Sequence, residues 1–168
     1  MKTSYEVRAK KFIQQIAEYL KNCYMPDDFE KAIKRYNEAK KRHVRVESGA
    51  CRVVLITSDY VVKIDYNPAK IQYFGGCEDE CEFYRRAEDD GYEYLFAKIT
   101  KFVCHGRAFY IMPRIGGIGL DRMTNWSIDE EEYVYNNVED LHEWNIGYKN
   151  NIGIVIDYAC NEYMRHSS

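Results

Sequence analysis

Asp140, Asn145 and Asp157 are the side chains of this sequence whose types and spacing lend themselves to chemistry. Residues 146–148 and 154–156 flank Lys149-Asn150-Asn151, which predicts a hairpin. Asn145 just before the first arm and Asp157 just after the second then fall at one open end, so two oxygen ligands converge. A hard cation such as Mg²⁺ takes oxygen ligands of this kind and completes its shell with phosphate oxygens and water. Asp140, on the preceding loop, can reach the same mouth as a base or as an orienter of an acceptor hydroxyl. Together they outline a metal-assisted phosphoryl-transfer site. His142, between Asp140 and Asn145, reads as a residue that steadies the loop rather than as a catalytic base.

The elements that must position these groups follow from periodicity. Thr3 with Glu6 reads as a capping box, and Phe12, Ile13, Ile16, Leu20 and Cys23 recur at helical spacing, predicting a helix over residues 4–23. Met25-Pro26 breaks it. Asp27 with Glu30 can cap a second helix ending near Arg42, its apolar stripe formed by Phe29, Ala32, Ile33 and Tyr36. Lys31, Lys34, Arg35, Lys40 and Lys41 on its other faces form either a solvated surface or a landing site for an anionic partner. From Val44 the texture turns β-branched, predicting strands at 44–46, 52–56 and 60–64 as an antiparallel meander. A helix over 77–89 and strands at 96–104 and 107–112, turning at His105-Gly106, complete the order β-β-β-α-β-β. Gly116, Gly117 and Gly119 mark a flexible connection, and Ser127 with Glu130 caps a further helix to about Val138.

Composition bounds the rest. The 168 residues suit one domain, with 46% hydrophobic and 30% charged side chains, as in folded globular proteins. A net charge of −3 argues against nucleic acid as a partner. The charged start lacks a signal-peptide core and no run reaches membrane-spanning length, giving the expectation of a cytoplasmic protein with no membrane partner. The six cysteines match no paired zinc frame and are expected as reduced, mostly packed thiols; Cys77 and Cys81 share a helix face but lack further ligands.

Asp140-Leu141-His142-Glu143-Trp144-Asn145, a short hairpin and Asp157-Tyr158-Ala159 resemble the catalytic loop and metal-binding Asp-Phe-Gly motif of protein kinases. The resemblance implies that Asp140 is the catalytic Asp and that Asn145 and Asp157 hold Mg²⁺. Residues 46–54 resemble a degraded glycine-rich loop that keeps only Gly49, with Val54 on the strand beyond. Val61-Val62-Lys63-Ile64 resembles the third kinase strand, so Lys63 would contact the ATP phosphates. Glu80 would be its ion-pair partner, with Glu78 and Glu82 as rivals because helix phase is open, and Tyr84 would pack beside it. Residues 109–117 resemble the fifth strand and hinge, with Met112 as gatekeeper and the backbone of Pro113, Arg114 and Ile115 against adenine.

The implied fold is α+β and protein-kinase-like: a helical extension (1–43), an N-lobe with a five-stranded antiparallel sheet and one inserted helix (44–115), and a minimal C-lobe (116–168). Three departures qualify it. Val138-Glu139 replaces the usual His-Arg, so control by activation-loop phosphorylation is not expected. Ala159 replaces the motif glycine, which implies a fixed conformation. Only Cys160 to Ser168 follow, leaving no sequence for an activation segment. This brevity resembles minimal kinases of bacteriophages and bacterial pathogens, which implies a host protein, or the chain itself, as substrate in the host cytoplasm. The expected activity is ATP- and Mg²⁺-dependent Ser/Thr-type phosphorylation. The alternatives are a pseudokinase-like binding module that engages a host partner without transfer, and, from Asp140-Leu141-His142, a small-molecule phosphotransferase.

Overall fold

The computed structural model describes residues 4–116, 123–139 and 141–159. The chain divides into two compact units, one from Met1–Ile71 with Thr100–Arg114, the other from Gln72–Ile99 with Ile115–Ser168. The architecture is mixed α+β with a five-stranded antiparallel sheet.

In the first unit, helices α1 (Tyr5–Leu20) and α2 (Pro26–Lys40) precede strands β1 (Arg45–Ser48), β2 (Arg52–Ile56) and β3 (Tyr60–Asp65); β4 (Thr100–Cys104) and β5 (Arg107–Pro113) join later. The spatial order is β1-β2-β3-β5-β4. Alternation along the strands puts Val53, Leu55, Val62, Ile64, Phe109 and Ile111 on one face, where they share a core with Phe12, Ile16, Leu20, Phe29, Ile33 and Tyr36 of the helices. Each such side chain, when fully buried, stabilises the fold by roughly 1.5–3 kcal/mol. Arg107 fastens the end of α1 to the sheet, donating to the carbonyls of Leu20 (2.9 Å) and Cys23 (2.6 Å). The β4–β5 turn is His105-Gly106, both at positive φ (50° and 76°), the backbone a two-residue hairpin requires.

The second unit holds α4 (Cys77–Asp90), a 3₁₀ turn at Glu93–Leu95, α5 (Ile128–Asn137) and the hairpin β6 (Ile146–Lys149) with β7 (Ile152–Val155). The short helix α3 (Pro68–Phe74) lies where the chain passes between the units. The core of the second unit is aromatic: Phe83 meets Phe96 edge-on at 4.9 Å, and Tyr158 packs on both at 5.5 and 5.3 Å. Asn150 and Asn151 take positive φ (54° and 64°) between β6 and β7, again a two-residue turn. Ser127 and Glu130 form the expected reciprocal cap of α5, at 3.2 and 2.7 Å.

Several local readings are corrected. The N-cap of α1 is Ser4, whose hydroxyl accepts from Val7 N–H; Thr3 lies outside the described residues. Helix α2 starts at Pro26 itself, since proline suits a first turn, and Asp28 rather than Asp27 takes the N–H groups of Tyr24 and Met25 (3.1 and 3.0 Å). Residues 96–99 do not join β4: Phe96 bridges Val155 instead, and Ala97 N–H donates to the Val155 carbonyl at 2.9 Å. Gly117 and Gly119 lie outside the described residues. None of the five described cysteines is in a disulfide, and no described helix is long and apolar enough to cross a membrane.

Candidate functional site

In the first unit, the sheet face turned away from α1 and α2 carries the expected nucleotide-side residues. Pairing across antiparallel strands puts partners on the same face: Val54 opposes Lys63, Lys63 opposes Tyr110, and Val61 opposes Met112. Lys63 is 5% exposed and Met112 1%, so an ammonium and an apolar wall sit on a largely covered surface. Burying a lysine is unfavourable unless anionic groups accompany it.

Gly49 and Arg114 fall at opposite ends of the β2–β3 pair. Gly49 N–H donates to the Arg52 carbonyl (2.8 Å), while Tyr66 and Asn67 donate to the carbonyls of Gly49 (2.5 Å) and Ala50 (3.3 Å). A Cβ on Gly49 would meet only the Arg52 carbonyl, at 3.9 Å, and its φ is not positive, so neither packing nor turn geometry demands glycine there. At the other end, the Arg114 guanidinium donates to the Thr57 carbonyl (2.9 Å) and its N–H to the Asp59 carbonyl (3.0 Å). With Pro113 lacking an N–H, neither residue has a backbone donor left for a base.

In the second unit, helix phase is now fixed. Glu80 is fully buried, whereas Glu78 and Glu82 are exposed. Its carboxylate accepts from Tyr158 N–H at 3.0 Å, inside the unit. Phe83 and Ala87 continue the buried stripe, so Phe83 takes the packing position expected of Tyr84, which is only half-buried. Tyr158 is itself fully buried and its hydroxyl donates to the Ala97 carbonyl at 2.6 Å. Burial, reinforced by the charge of Glu80, pushes that hydroxyl well above the usual phenol range. Asp157 is therefore followed by a residue anchored at its amide, its ring and its hydroxyl.

Asn145 ends the 3₁₀ turn Glu143–Asn145 and is 9% exposed. Its carbonyl accepts from Ile156 N–H at 2.7 Å, which extends the β6–β7 ladder one step and sets Asp157 immediately beyond the open end. The Asn145 side-chain nitrogen lies 3.1 Å from Nε2 of His142. If the amide donates there, the imidazole proton sits on Nδ1 and the amide oxygen is turned away from His142. His142 thus has the loop-steadying position read from the sequence. Gly147 lets the hairpin close on the preceding segment: Tyr148 N–H donates to the Gly116 carbonyl (2.8 Å), and a Cβ on Gly147 would lie 2.5 Å from Ile115 Cγ2. Asp140 lies outside the described residues. Among the described residues, no three His, Cys, Asp or Glu side chains cluster to hold a metal. A cation at Asn145 and Asp157 would complete its shell from phosphate and water, as Mg²⁺ does.

No protein-family model matches the chain, and no curated protein matches it. Among solved structures it is similar to the Lpg2603 kinase of Legionella pneumophila bound to IP6, at 15% sequence identity and a TM-score of 0.43, over 73% of this chain and 49% of that one. The chain spans about half the length of that protein.

Three contributors escaped the sequence reading. Tyr110 opposes Lys63 on the same face, a consequence of β3–β5 register that only the pairing reveals. Phe83 depended on helix phase. The Ala97 carbonyl, as acceptor for Tyr158, depended on residues 96–99 leaving the strand, and no local sequence signal marks that departure.

Proposed function

We propose that this chain is a minimal ATP- and Mg²⁺-dependent phosphotransferase of protein-kinase type, acting on a Ser/Thr-type hydroxyl of a host protein or of itself in the host cytoplasm. The observation that carries the reading is the buried hydrogen bond from Tyr158 N–H to the Glu80 carboxylate. It ties the acid of α4 to the residue next to Asp157, so the group proposed to hold Lys63 and the group proposed to hold the metal share one support. The α4 phase supports the choice of Glu80 over Glu78 and Glu82, because a buried carboxylate needs a cation or donors around it.

In this reading a nucleotide lies along β3, its base toward Met112 and its phosphates toward Gly49. Lys63, with Glu80 as its proposed partner, would offset phosphate charge. The donors fit the metal: an amide oxygen from Asn145 and a carboxylate from Asp157 are hard oxygen ligands. Bound Mg²⁺ would supply charge neutralisation on the transferring phosphoryl group. Asp140 would orient the acceptor hydroxyl and accept its proton. Ile115 N–H is the hinge donor left for the base, since Arg114 N–H is given to Asp59.

The test is transfer of labelled phosphate from ATP, with Mg²⁺, to the chain itself or to proteins of a host lysate. Wild type is expected to transfer and Asp157→Ala to lose transfer while remaining folded; a wild type that transfers to nothing contradicts the enzyme reading. The binding-module alternative draws on the loop around Gly49 being already held by Tyr66 and Asn67. It predicts an unchanged biological effect in the Asp140→Ala, Asp157→Ala double variant.

A further inference from the structure

In the first unit, α1, the segment after α2 and the β2–β3 turn enclose a cavity of about 530 Å³. Arg8 and Lys11 enter it from α1, and Lys41, Arg42 and His43 from the connection to β1. Among the described residues, no carboxylate lines it. Asp59, on the adjoining turn, is ion-paired with Arg8. Lys11, Lys41 and Arg42 are exposed and join no ion pair among the described residues. The inner wall is Phe12, Tyr36 and Tyr60, ring against ring at 5.7 and 5.9 Å, and the hydroxyls of Thr57 and Ser58 lie on the rim.

Several like charges around one concavity repel each other and raise the local concentration of anions, because the low-dielectric wall focuses their field. Another cavity of this unit, about 500 Å³, mixes Glu18 and Asp28 with Lys31 and Arg35, and so selects neither sign. From this contrast we infer that the α1–α2–turn cavity is a binding site for a small ligand carrying two or more phosphate groups. A single phosphate would engage one or two of the cations and leave most of the volume unused. Arg42 offers a planar fork to two phosphate oxygens, and Lys11 and Lys41 act as mobile point charges. The site is separate from the proposed nucleotide face, since Tyr60 belongs to the core side of the sheet and Lys63 to the opposite side.

The ligand could be a soluble polyphosphate compound or a polyphosphorylated lipid headgroup, and two arms distinguish them. In the first, inorganic tripolyphosphate is titrated calorimetrically into the full chain; in the second, the chain is sedimented with vesicles containing phosphatidylinositol bisphosphate or phosphatidylcholine alone. Lys41 is a left-handed helix cap (φ 54°) and Arg8 holds Asp59, so the test variant is Lys11→Gln with Arg42→Gln, both exposed. Binding in at least one arm should weaken about tenfold or more in the double variant. It should also fall with added salt and survive in Arg42→Lys and Lys63→Ala. Tripolyphosphate binding alone marks a soluble ligand; added binding to the bisphosphate vesicles, competed by tripolyphosphate, marks a headgroup. Absence of binding in both arms, or binding that the double variant leaves intact, would overturn the inference, as would binding that Lys63→Ala alone removes.

Discussion

Replacing Glu80 separates its structural role from its proposed functional one. In Glu80→Ala the buried Tyr158 N–H loses its 3.0 Å acceptor. An orphaned buried donor costs about 1–3 kcal/mol, and the side-chain methylene lost from the core about 1 kcal/mol more. The sum, about 2–4 kcal/mol, corresponds to a fall of roughly 4–16 °C in Tm for a chain of this size. Glu80→Gln keeps an oxygen that can accept from Tyr158, so its Tm should fall by well under half as much. It removes the negative charge, however, and with it the proposed hold on Lys63. Differential scanning fluorimetry alongside nucleotide titration reads both effects: alanine loses stability and affinity, glutamine chiefly affinity. An alanine variant as stable as wild type would refute the structural argument, and a glutamine variant with full nucleotide affinity would refute the functional one.

The hairpin that carries Asn145 depends on Gly147. Its alanine would bring a Cβ to 2.5 Å from Ile115 Cγ2 and 3.0 Å from the Gly116 carbonyl, so urea unfolding of Gly147→Ala should show a loss of about 1–3 kcal/mol. Because burial raises the Tyr158 pKa, its contribution is fully present below the ordinary tyrosine range and is lost as pH rises beyond that range through the raised pKa. Tyr158→Phe should therefore be less stable at neutral pH, yet lose less on alkaline titration; equal slopes for both proteins would count against the buried hydroxyl. Backbone N–H groups of Tyr24 and Met25 lower the Asp28 pKa, so its stabilisation is present above the ordinary carboxylate range and lost as pH falls through its lowered pKa. Thermal melts of Asp28→Ala should lie below wild type at neutral pH and converge with it in acid.

Much of this fold was legible because its turns are chemically explicit. His105-Gly106 and Asn150-Asn151 supply residues that tolerate positive φ, and a two-residue turn fixes the register of the strands it joins. Ser127 and Glu130 announced α5 for the same reason, through a pairing of side chains with backbone that is local in sequence. What was not legible depends on contacts distant in sequence. The phase of α4 is ambiguous in a helix that carries Glu78, Glu80 and Glu82; it is settled by Phe83 meeting Phe96 and Tyr158. Residues 96–99 are apolar enough for a strand, but Phe96 and Ala97 take their partner from β7 instead. The candidate site divides along the same line. Asn145 and Asp157 were readable from a hairpin, whereas Tyr110 beside Lys63 and Ala97 beneath Tyr158 emerge only from pairing across the chain.

Nucleotide titration of wild type and Lys63→Ala, each with and without Mg²⁺, bears most directly on the central claim. The account predicts that wild type binds ATP more tightly with Mg²⁺ present and that Lys63→Ala, still folded, binds at least about tenfold more weakly in both conditions. A wild type that binds no nucleotide, or a Lys63→Ala variant that binds as tightly as wild type, would contradict it.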